Sequence, residues 1–318
     1  MCRGSEEPRT PDAGRSHGGG GATPSPSASP SPPQSPGTAL TQEPTPDEIP
    51  QDPSASNGNT RGDSGEVDDN KKPIMALIDE VDQGNAIIMQ KIMLLNEKYQ
   101  CFRPIDRDGN CFYRAFIFSY LEQVLAIKDD SERNNEVTRL RHCVFYAKEA
   151  YDSASIWMTK TSFLAGFDAL EYVFDLIEAG ISPEQLYWLD IYDGIISKSK
   201  LLTEFEVCMR EEFYYPFVST AEEYESVHEF CWHEVRPNGK EANHVQIMAL
   251  VNALGIPLIL ENLDTSLNHG VIQLHQVLFC PREEFEAART AEEMSAVECR
   301  KIVTLLYRPG HYDILYPK

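Results

Sequence analysis

The sequence contains no run of roughly 18 uninterrupted apolar residues, the length that a membrane-spanning helix requires. Its first residues, MCRGSEEPRT, also lack the apolar core of a signal peptide. We therefore expect an intracellular protein without a membrane partner, located in the cytoplasm and with the nucleus as a second compartment.

Basic residues are scarce, because 28 Lys and Arg stand against 50 Asp and Glu and give a net charge of -22. Proteins that bind nucleic acid or anionic membranes without regard to sequence do so through basic surfaces. The charge balance therefore argues against a nucleic-acid partner. It favours soluble protein partners that have basic faces.

Paired cysteines and phosphate loops are missing as well. The 8 cysteines include no C-x-x-C pair, which argues against a disulfide framework and predicts reduced thiols.

His228 and Cys231 are spaced to share a helix face and His244 follows, but no second pair with metal-ligand spacing exists. A zinc site is therefore the weaker alternative, and we expect no metal and no cofactor. The glycines at 18–21 lack a following Lys-Ser/Thr, so a nucleotide site is not supported.

The first 70 residues contain no Phe, Tyr or Trp and hold twelve of the 21 prolines. A segment of this composition cannot bury enough apolar surface to offset its ordering entropy. We predict a disordered tail rich in Pro, Ser and Gly over residues 1–72 and one folded domain over residues 73–318.

Apolar residues recur at helical spacing through most of the remaining chain, although the period is irregular over 183–218. Besides an apolar stripe near residues 87–95, this spacing predicts helices over 111–127, 133–152, 162–179, 220–234 and 241–254. Short β-branched segments predict strands over 256–262, 271–279, 301–307 and 312–316. An acidic helix is predicted at 282–300, between the second and third of these strands. The order predicts an α+β fold, with helices packed on a small, mainly antiparallel sheet.

The turn formers Asp108, Gly109 and Asn110 directly precede Cys111, where a helical pattern begins. A helix amino terminus offers unsatisfied N–H groups and a dipole that favour an anion. We therefore expect a lowered thiol pKa and an oxyanion site at this turn. A lone intracellular cysteine is more often a small core residue, and position alone favours that alternative.

A partner for Cys111 lies in the segment RPGHYDILY near the carboxyl terminus. A Pro-Gly turn precedes a predicted strand, in which His311 and Asp313 point to one face and Tyr312 points away. The carboxylate can accept from Nδ1 of the imidazole and leave Nε2 to take a proton from a thiol. These three side chains predict a nucleophile, a base and an orienting carboxylate, although His-x-Asp spacing also recurs by chance.

The segments DGNCFYRAF and VTLLYRPGHYDILY, about 200 residues apart, resemble the otubains. These are ovarian-tumour-type (OTU) cysteine proteases of peptidase family C65, which cleave ubiquitin from proteins. The resemblance covers about residues 74–318 and implies a papain-like OTU catalytic domain that needs no cofactor. It implies that Cys111 is the nucleophile, His311 the general base and later acid, and Asp313 the residue that orients it. Asp108 would belong to the loop whose backbone amides form the oxyanion hole.

The same resemblance implies hydrolysis of isopeptide bonds at the carboxyl terminus of ubiquitin. The implied partners are ubiquitin and polyubiquitin chains, with ubiquitin-conjugating enzymes as a further class. The chain departs from the usual otubain pattern over 180–215, at 243–247 and in a longer acidic stretch at 282–300. Two alternatives stay open: a catalytically weak ubiquitin- or conjugating-enzyme-binding regulator that retains the fold, and a protease for a ubiquitin-like modifier.

Overall fold

A computed structural model describes residues 70–81, 84–154, 160–165, 167–187, 192–221, 224–282 and 301–318. These residues belong to one compact unit, Ser64–Lys318. The tail predicted over 1–72 lies almost wholly outside the described residues, as does the acidic helix predicted over 282–300, and both stay predictions. Among the described residues, none of the helices has the length and apolarity that a membrane crossing demands.

The α-helices are, in chain order, α1 (Ala86–Lys98), α2 (Cys111–Leu125), α3 (Asp130–Glu149), α4 (Lys160–Ala165), α5 (Asp168–Glu178), α6 (Pro183–Tyr187), α7 (Tyr192–Met209), α8 (Glu211–Ala221), α9 (Val227–Phe230) and α10 (His244–Leu254). Short 3-10 helices span Ile74–Glu80 and Tyr151–Ser153, and a π-helical turn spans Cys231–Val235. The predicted helices α2, α3 and α10 are confirmed to within a few residues.

The strands are β1 (Lys72–Pro73), β2 (Tyr99–Arg103), β3 (Leu258–Asn262), β4 (His275–Phe279), β5 (Val303–Arg308) and β6 (His311–Pro317). They form one 6-stranded sheet in the order β1-β2-β6-β5-β3-β4. Every pairing is antiparallel except β3 with β5. The α+β fold with a mainly antiparallel sheet is confirmed, and so are the strands β3 to β6, whereas β1 and β2 were missed.

The sheet lies between two layers of helices. Leu305 and Ile314 enter the larger hydrophobic cluster, to which α2, α7 and α10 contribute more buried side chains than any other helix. Their neighbours Leu306 and Leu315 enter a smaller cluster with α1 and the 3-10 helix Ile74–Glu80. Because successive side chains of a strand point to opposite faces, β5 and β6 tie both layers together.

Two predicted helices are wrong in extent. The helix predicted over 162–179 is divided into α4 and α5, where the sequence has a glycine, the poorest helix former after proline. Of the helix predicted over 220–234, the structure has the last two residues of α8 and the segment 227–234, where α9 continues into the π-helical turn. The helix α9 starts where the Ser226 side chain accepts a hydrogen bond from the Glu229 amide. A capped start of this kind fixes a helix boundary that apolar spacing alone does not show.

The helix α7 was missed because it has no apolar stripe. All residues over 199–208 are buried, including the polar Ser199, Thr203 and Glu206. A helix surrounded by protein loses the periodic alternation that identifies a surface helix. This segment of irregular period therefore supplies one of the central helices of the domain.

Glu206 of α7 predicts a pH-dependent stability. Burial raises the pKa of its carboxyl to about 7, although Arg210 and Tyr214 act to lower it. A folded-state pKa above the unfolded value of 4.5 gives stability below pH 4.5 that is lost as pH rises through about 7. We expect Glu206→Gln to raise the free energy of unfolding at pH 8 by about 1–3 kcal/mol and to change it little at pH 4. Urea denaturation at the two pH values measures the difference.

The exposed Glu211 at the start of α8 provides the matched control. Glu211→Gln should leave the difference in stability between the two pH values as it is in the unmodified protein. Equal destabilisation of Glu206→Gln at pH 4 and pH 8 would show that the carboxyl is not held neutral by burial.

Candidate active site

Cys111 is the first residue of α2, as the preceding turn residues predicted. Its side chain is only 1% exposed. The turn is held by Asp108, whose Oδ1 accepts a hydrogen bond from the Asn110 amide at 2.9 Å. Phe112, the next residue of the helix, packs edge-on against the Tyr312 ring of β6 at 5.4 Å. The amino end of α2 is therefore anchored against the sheet.

A second loop forms the wall of this turn. A Cβ atom on Gly109, whose φ is +74°, would lie 2.1 Å from the carbonyl oxygen of Gly239. The Gly239 amide donates to Oδ1 of Asn110 at 3.4 Å, and Lys200 of α7 donates to the Pro237 carbonyl at 2.7 Å. This wall was not predicted from the sequence, although the turn-forming residues Pro237 to Gly239 indicate a loop there.

Lys200 is a buried cation beside the turn, with 4% exposure. Its ammonium lies 5.4 Å from the centre of the Tyr113 ring, on the helix that Cys111 begins. Burial lowers the pKa of Lys200 to about 8, although the Asp108 carboxylate acts to raise it. No sequence pattern marked Lys200 as a site residue, because it lies in the segment of irregular period.

Asp108 is held in the charged form. Burial alone would raise its pKa, but the amide of Asn110 and the guanidinium of Arg114 outweigh that effect and lower it. Arg114, one turn into α2, donates to Oδ2 of Asp108. The Asp108 carboxylate therefore bonds the turn through Oδ1 and the first turn of α2 through Oδ2.

His311 and Asp313 are brought together at the start of β6, as predicted. Their register partners on β5 are Arg308 and Leu306, so both side chains point to one face. Tyr312 points to the other face, where its hydroxyl donates to the Ala242 carbonyl at 3.0 Å. His311 and Asp313 are 1% and 0% exposed, so the pair is shielded from water.

The prediction of which imidazole nitrogen faces the carboxylate is wrong. Nε2 of His311 donates to Oδ1 of Asp313 at 2.8 Å, while Nδ1 has no hydrogen-bond partner among the described residues. Residues two apart on a strand have Cα atoms roughly 6.5–7 Å apart, and Nε2 reaches farther from its own backbone than Nδ1. Nδ1 is therefore the nitrogen available to a thiol.

The Asp313 carboxylate is fixed by three donors. Besides His311, the Ile105 amide donates to Oδ1 at 3.0 Å and Arg308 donates to Oδ2. Burial alone would raise the pKa of Asp313, but the bond from His311 and the charge of Arg308 outweigh it and lower the pKa. Asp313 is therefore anionic at neutral pH and cannot rotate away from the imidazole.

Cys111 lies beside this pair but is not charged. The backbone amide of Tyr312, next in the chain to His311, donates to the sulphur, as does that of Phe112. Burial raises the pKa of the Cys111 thiol, and the nearby carboxylates of Asp108 and Glu241 add to the effect, which the two amides only partly offset. The lowered pKa expected from the helix terminus is therefore wrong for this state, because desolvation exceeds the favourable dipole.

The candidate zinc residues do not converge. Cys231 is buried and its thiol is hydrogen-bonded with that of Cys208, and the His244 ring packs on Phe279 with centroids 4.8 Å apart. Among the described residues, no group of three His, Cys, Asp or Glu side chains is placed to hold a metal ion. Cys231 and His244 therefore pack against other partners.

The departures at 243–247 have a structural role. Asn243 caps α10 by accepting from the Val245 and Gln246 amides, and the Gln246 side chain accepts from the Asn243 amide at 2.6 Å. Gln246 also donates to the Glu234 carbonyl at 2.6 Å. This reciprocal cap fixes the start of a helix that packs against α7.

Comparison with known proteins decides the family. The Peptidase C65 Otubain profile matches residues 63–317. The chain belongs to this family. The OVARIAN TUMOR DOMAIN-containing deubiquitinating enzyme 1 of Arabidopsis thaliana is 32% identical to this otubain over 254 residues, which cover 78% of this chain and 80% of that protein. Ubiquitin thioesterase OTUB2 of Homo sapiens is 31% identical over 241 residues, which cover 73% of this chain and 88% of that protein.

Solved structures agree with this otubain in fold. The ceOTUB1 chain in "The structure of a ceOTUB1 ubiquitin aldehyde UBC13~Ub complex" is 25% identical, with a TM-score of 0.62. The match covers 78% of this chain and 92% of that chain. The α+β arrangement that carries Cys111, His311 and Asp313 is therefore the otubain fold.

Proposed function

We propose that this otubain is a deubiquitinating cysteine protease that hydrolyses isopeptide bonds at the carboxyl terminus of ubiquitin. The observation that carries the proposal is the buried pair of His311 and Asp313 beside Cys111, with Nδ1 of the imidazole left without another partner. A nucleophile, a base and a group that orients the base are the parts that thiol-dependent acyl transfer needs. The names of the relatives from Arabidopsis thaliana and Homo sapiens, a deubiquitinating enzyme and a ubiquitin thioesterase, support the substrate class.

In the first half of the reaction, Nδ1 of His311 takes the proton of the Cys111 thiol as the sulphur attacks the carbonyl carbon of the terminal glycine of ubiquitin. Because the thiol pKa is raised, proton transfer accompanies attack and does not precede it. The imidazolium then gives this proton to the leaving lysine amine. The carbon–nitrogen bond breaks and a thioester between Cys111 and ubiquitin remains.

In the second half, His311 takes a proton from a water molecule that attacks the thioester. The carbon–sulphur bond breaks, the proton returns to the Cys111 sulphur, and ubiquitin leaves with a free carboxylate. Asp313 keeps Nε2–H bound throughout, so the imidazole presents the same nitrogen to each proton. Asp313 itself stays ionised, because three donors hold it.

The oxyanion of each tetrahedral intermediate is stabilised at the start of α2. The first N–H groups of a helix have no partner within the helix, and they point out of its amino end. Asp108 serves this site through the backbone, because it holds the Asn110 amide and Arg114 and so fixes the turn. Its role is to position these amides, which the resemblance to otubains also implied.

A groove of 430 Å³ lies on the face of β6 that carries Tyr312, opposite the face of His311 and Asp313. Tyr307 and Tyr312 line it, together with Glu241 at the start of the segment that precedes α10. Ubiquitin and polyubiquitin chains are the proposed partners, which the names of the relatives support. Ubiquitin-conjugating enzymes are a further class, because related structures are complexes that contain UBC13~Ub or UBCH5B~Ub. An intracellular location stays a prediction from the sequence.

One observation favours a second candidate, a catalytically weak regulator that binds ubiquitin or conjugating enzymes. Nδ1 of His311 makes no hydrogen bond to the Cys111 sulphur, and the thiol pKa is raised, so the two groups are not an ion pair in this state. Such a site needs ubiquitin to complete its alignment. If ubiquitin binding did not do so, the protein would bind without turnover.

The test is reaction of the full chain with ubiquitin that carries a carboxyl-terminal vinyl sulfone. We expect a covalent adduct, seen by mass spectrometry as one added ubiquitin, that is absent in Cys111→Ala. Cys280→Ala is the matched control, because this half-buried thiol also has a raised pKa, and the variant should form the adduct normally.

Two outcomes contradict the proposal. An adduct that survives in Cys111→Ala would assign the nucleophile elsewhere. Absence of an adduct in the unmodified protein, with ubiquitin binding retained, would favour the regulator. The same reagent made from a ubiquitin-like modifier separates the third alternative, and a panel of defined di-ubiquitin linkages then reports the preferred bond.

A further inference from the structure

A chain of ion pairs leads from the catalytic imidazole to the amino-terminal part of the domain. Arg308, the last residue of β5, donates through Nη2 to Oδ2 of Asp313 and through Nη1 to Oε2 of Glu80 at 2.9 Å. Glu80 ends the 3-10 helix Ile74–Glu80 and also accepts from Lys72 at 3.3 Å. Asp313 in turn accepts from His311.

We propose that Arg308 is a positioning residue that locks the Asp313 carboxylate and moderates the basicity of His311, and that Glu80 sets how strongly Arg308 does so. The inference rests on the proposed function only in taking His311 as the base. Its geometric part rests on the bonds of the carboxylate, which has one oxygen on His311 and Ile105 and the other on Arg308.

The locking follows from the two ends of the guanidinium. The Arg308 side chain is 8% exposed and bridges two carboxylates, so its planar group has little freedom to turn. With Arg308 on Oδ2, rotation of the Asp313 carboxylate would break an ion pair in a site shielded from water. Oδ1 therefore stays directed at Nε2 of His311, which leaves Nδ1 as the nitrogen without a hydrogen-bond partner among the described residues.

The electrostatic part follows from the order of the charges. Asp313 favours the imidazolium form of His311, and Arg308, directly behind it, opposes that form. Glu80 is partly exposed and offsets some of the charge of Arg308. Among the described residues, the Cys111 sulphur accepts from the amide of Tyr312, and an oxygen of Glu241 would lie 3.8 Å from a Cβ atom on Gly310, the residue before His311.

The two substitutions therefore have effects of opposite sign. Loss of a cation in Arg308→Gln makes the imidazolium of His311 more stable and raises its pKa. Loss of an anion in Glu80→Gln leaves the charge of Arg308 less compensated and lowers that pKa. A purely structural bridge between the 3-10 helix and the sheet would give shifts of the same sign or none.

The experiment records kcat/KM against pH for full-chain variants, with ubiquitin that carries a fluorogenic carboxyl-terminal amide as substrate. The acidic limb reports the protonation of His311, because the neutral imidazole must accept the thiol proton. We expect this limb to move up by roughly half to one pH unit in Arg308→Gln and down by a few tenths in Glu80→Gln. We also expect kcat to fall by about tenfold in Arg308→Gln, since the carboxylate is no longer locked.

Arg308→Lys and Arg141→Gln are the controls. The lysine keeps the cation but lacks the fork that bridges two carboxylates, so the acidic limb should stay near its original pH while kcat remains lowered. Arg141 joins α3 to three carboxylates, of Glu171, Asp175 and Glu178, far along the chain from the site. Its replacement should move neither the limb nor kcat.

A direct readout separates this inference from the proposed function. The pKa of His311 is measured by NMR on protein with ¹³C-labelled histidine, the resonance being assigned by its absence in His311→Ala. Opposite displacements in Arg308→Gln and Glu80→Gln support the inference even if no ubiquitin substrate is hydrolysed. Displacements of equal sign, or none in both variants, overturn it even if hydrolysis is confirmed. If Arg308→Gln does not fold, the sign in Glu80→Gln, which alters a partly exposed residue, decides alone.

Discussion

Replacement of His311 by alanine is expected to lower kcat for release of a carboxyl-terminal fluorophore from ubiquitin by about 10³-fold or more. The size follows from its two duties, because the same imidazole takes the thiol proton and protonates the leaving amine. The raised pKa of Cys111 increases the dependence, since a neutral thiol cannot attack without a base. KM should change little, because the imidazole is buried and offers substrate almost no surface. Steady-state kinetics over a range of ubiquitin-substrate concentrations measures both constants.

His142→Ala is the matched control, because His142 is exposed on α3 and lies outside the site. It should keep the full rate. Thermal unfolding of both variants checks that a lost rate does not arise from a lost fold. A His311→Ala variant that is folded and retains more than about a tenth of the rate would mean that another group is the base.

Replacement of Gly109 by alanine is expected to lower kcat/KM by about 100- to 1,000-fold, the loss that follows removal of an oxyanion donor. The added Cβ would lie 2.1 Å from the Gly239 oxygen, and both atoms are bound to backbone, so no side chain can move aside. The turn or the wall must shift, and the amides at the start of α2 shift with it. The same ubiquitin fluorophore assay measures the loss.

Gly180→Ala separates this clash from simple backbone strain. Gly180 has φ of +80°, close to the +74° of Gly109, but nothing lies within 4 Å of an added Cβ. Both variants carry the strain of a left-handed residue, which costs roughly 1–2 kcal/mol of stability. Only Gly109→Ala should lose turnover, and equal activities of the two folded variants would show that the wall does not position the turn.

The sequence predicted the parts of the site that local geometry controls. A Gly-Asn turn before Cys111 marked the helix start, and a spacing of two on a strand placed His311 and Asp313 on one face. The catalytic residues of each motif could be predicted because each motif is a single short segment of the sequence. The family resemblance then joined two segments that no periodic pattern connects.

The sequence could not predict what burial does. A helix terminus predicted a lowered pKa for Cys111, yet the free energy of burying the thiolate exceeds that benefit. Lys200 and Arg308 approach the site from other elements, and neither contact can be derived from spacing. The orientation of the imidazole depends on the donors that already hold Asp313, so it too is a tertiary property.

The place of β6 in the sheet has a consequence for biosynthesis. The strand β6 lies between β2 and β5, so the base is held beside the nucleophile only when β6 has paired with both strands. Translation delivers Cys111 about 200 residues before His311. A nascent chain on the ribosome therefore carries the thiol without the group that activates it.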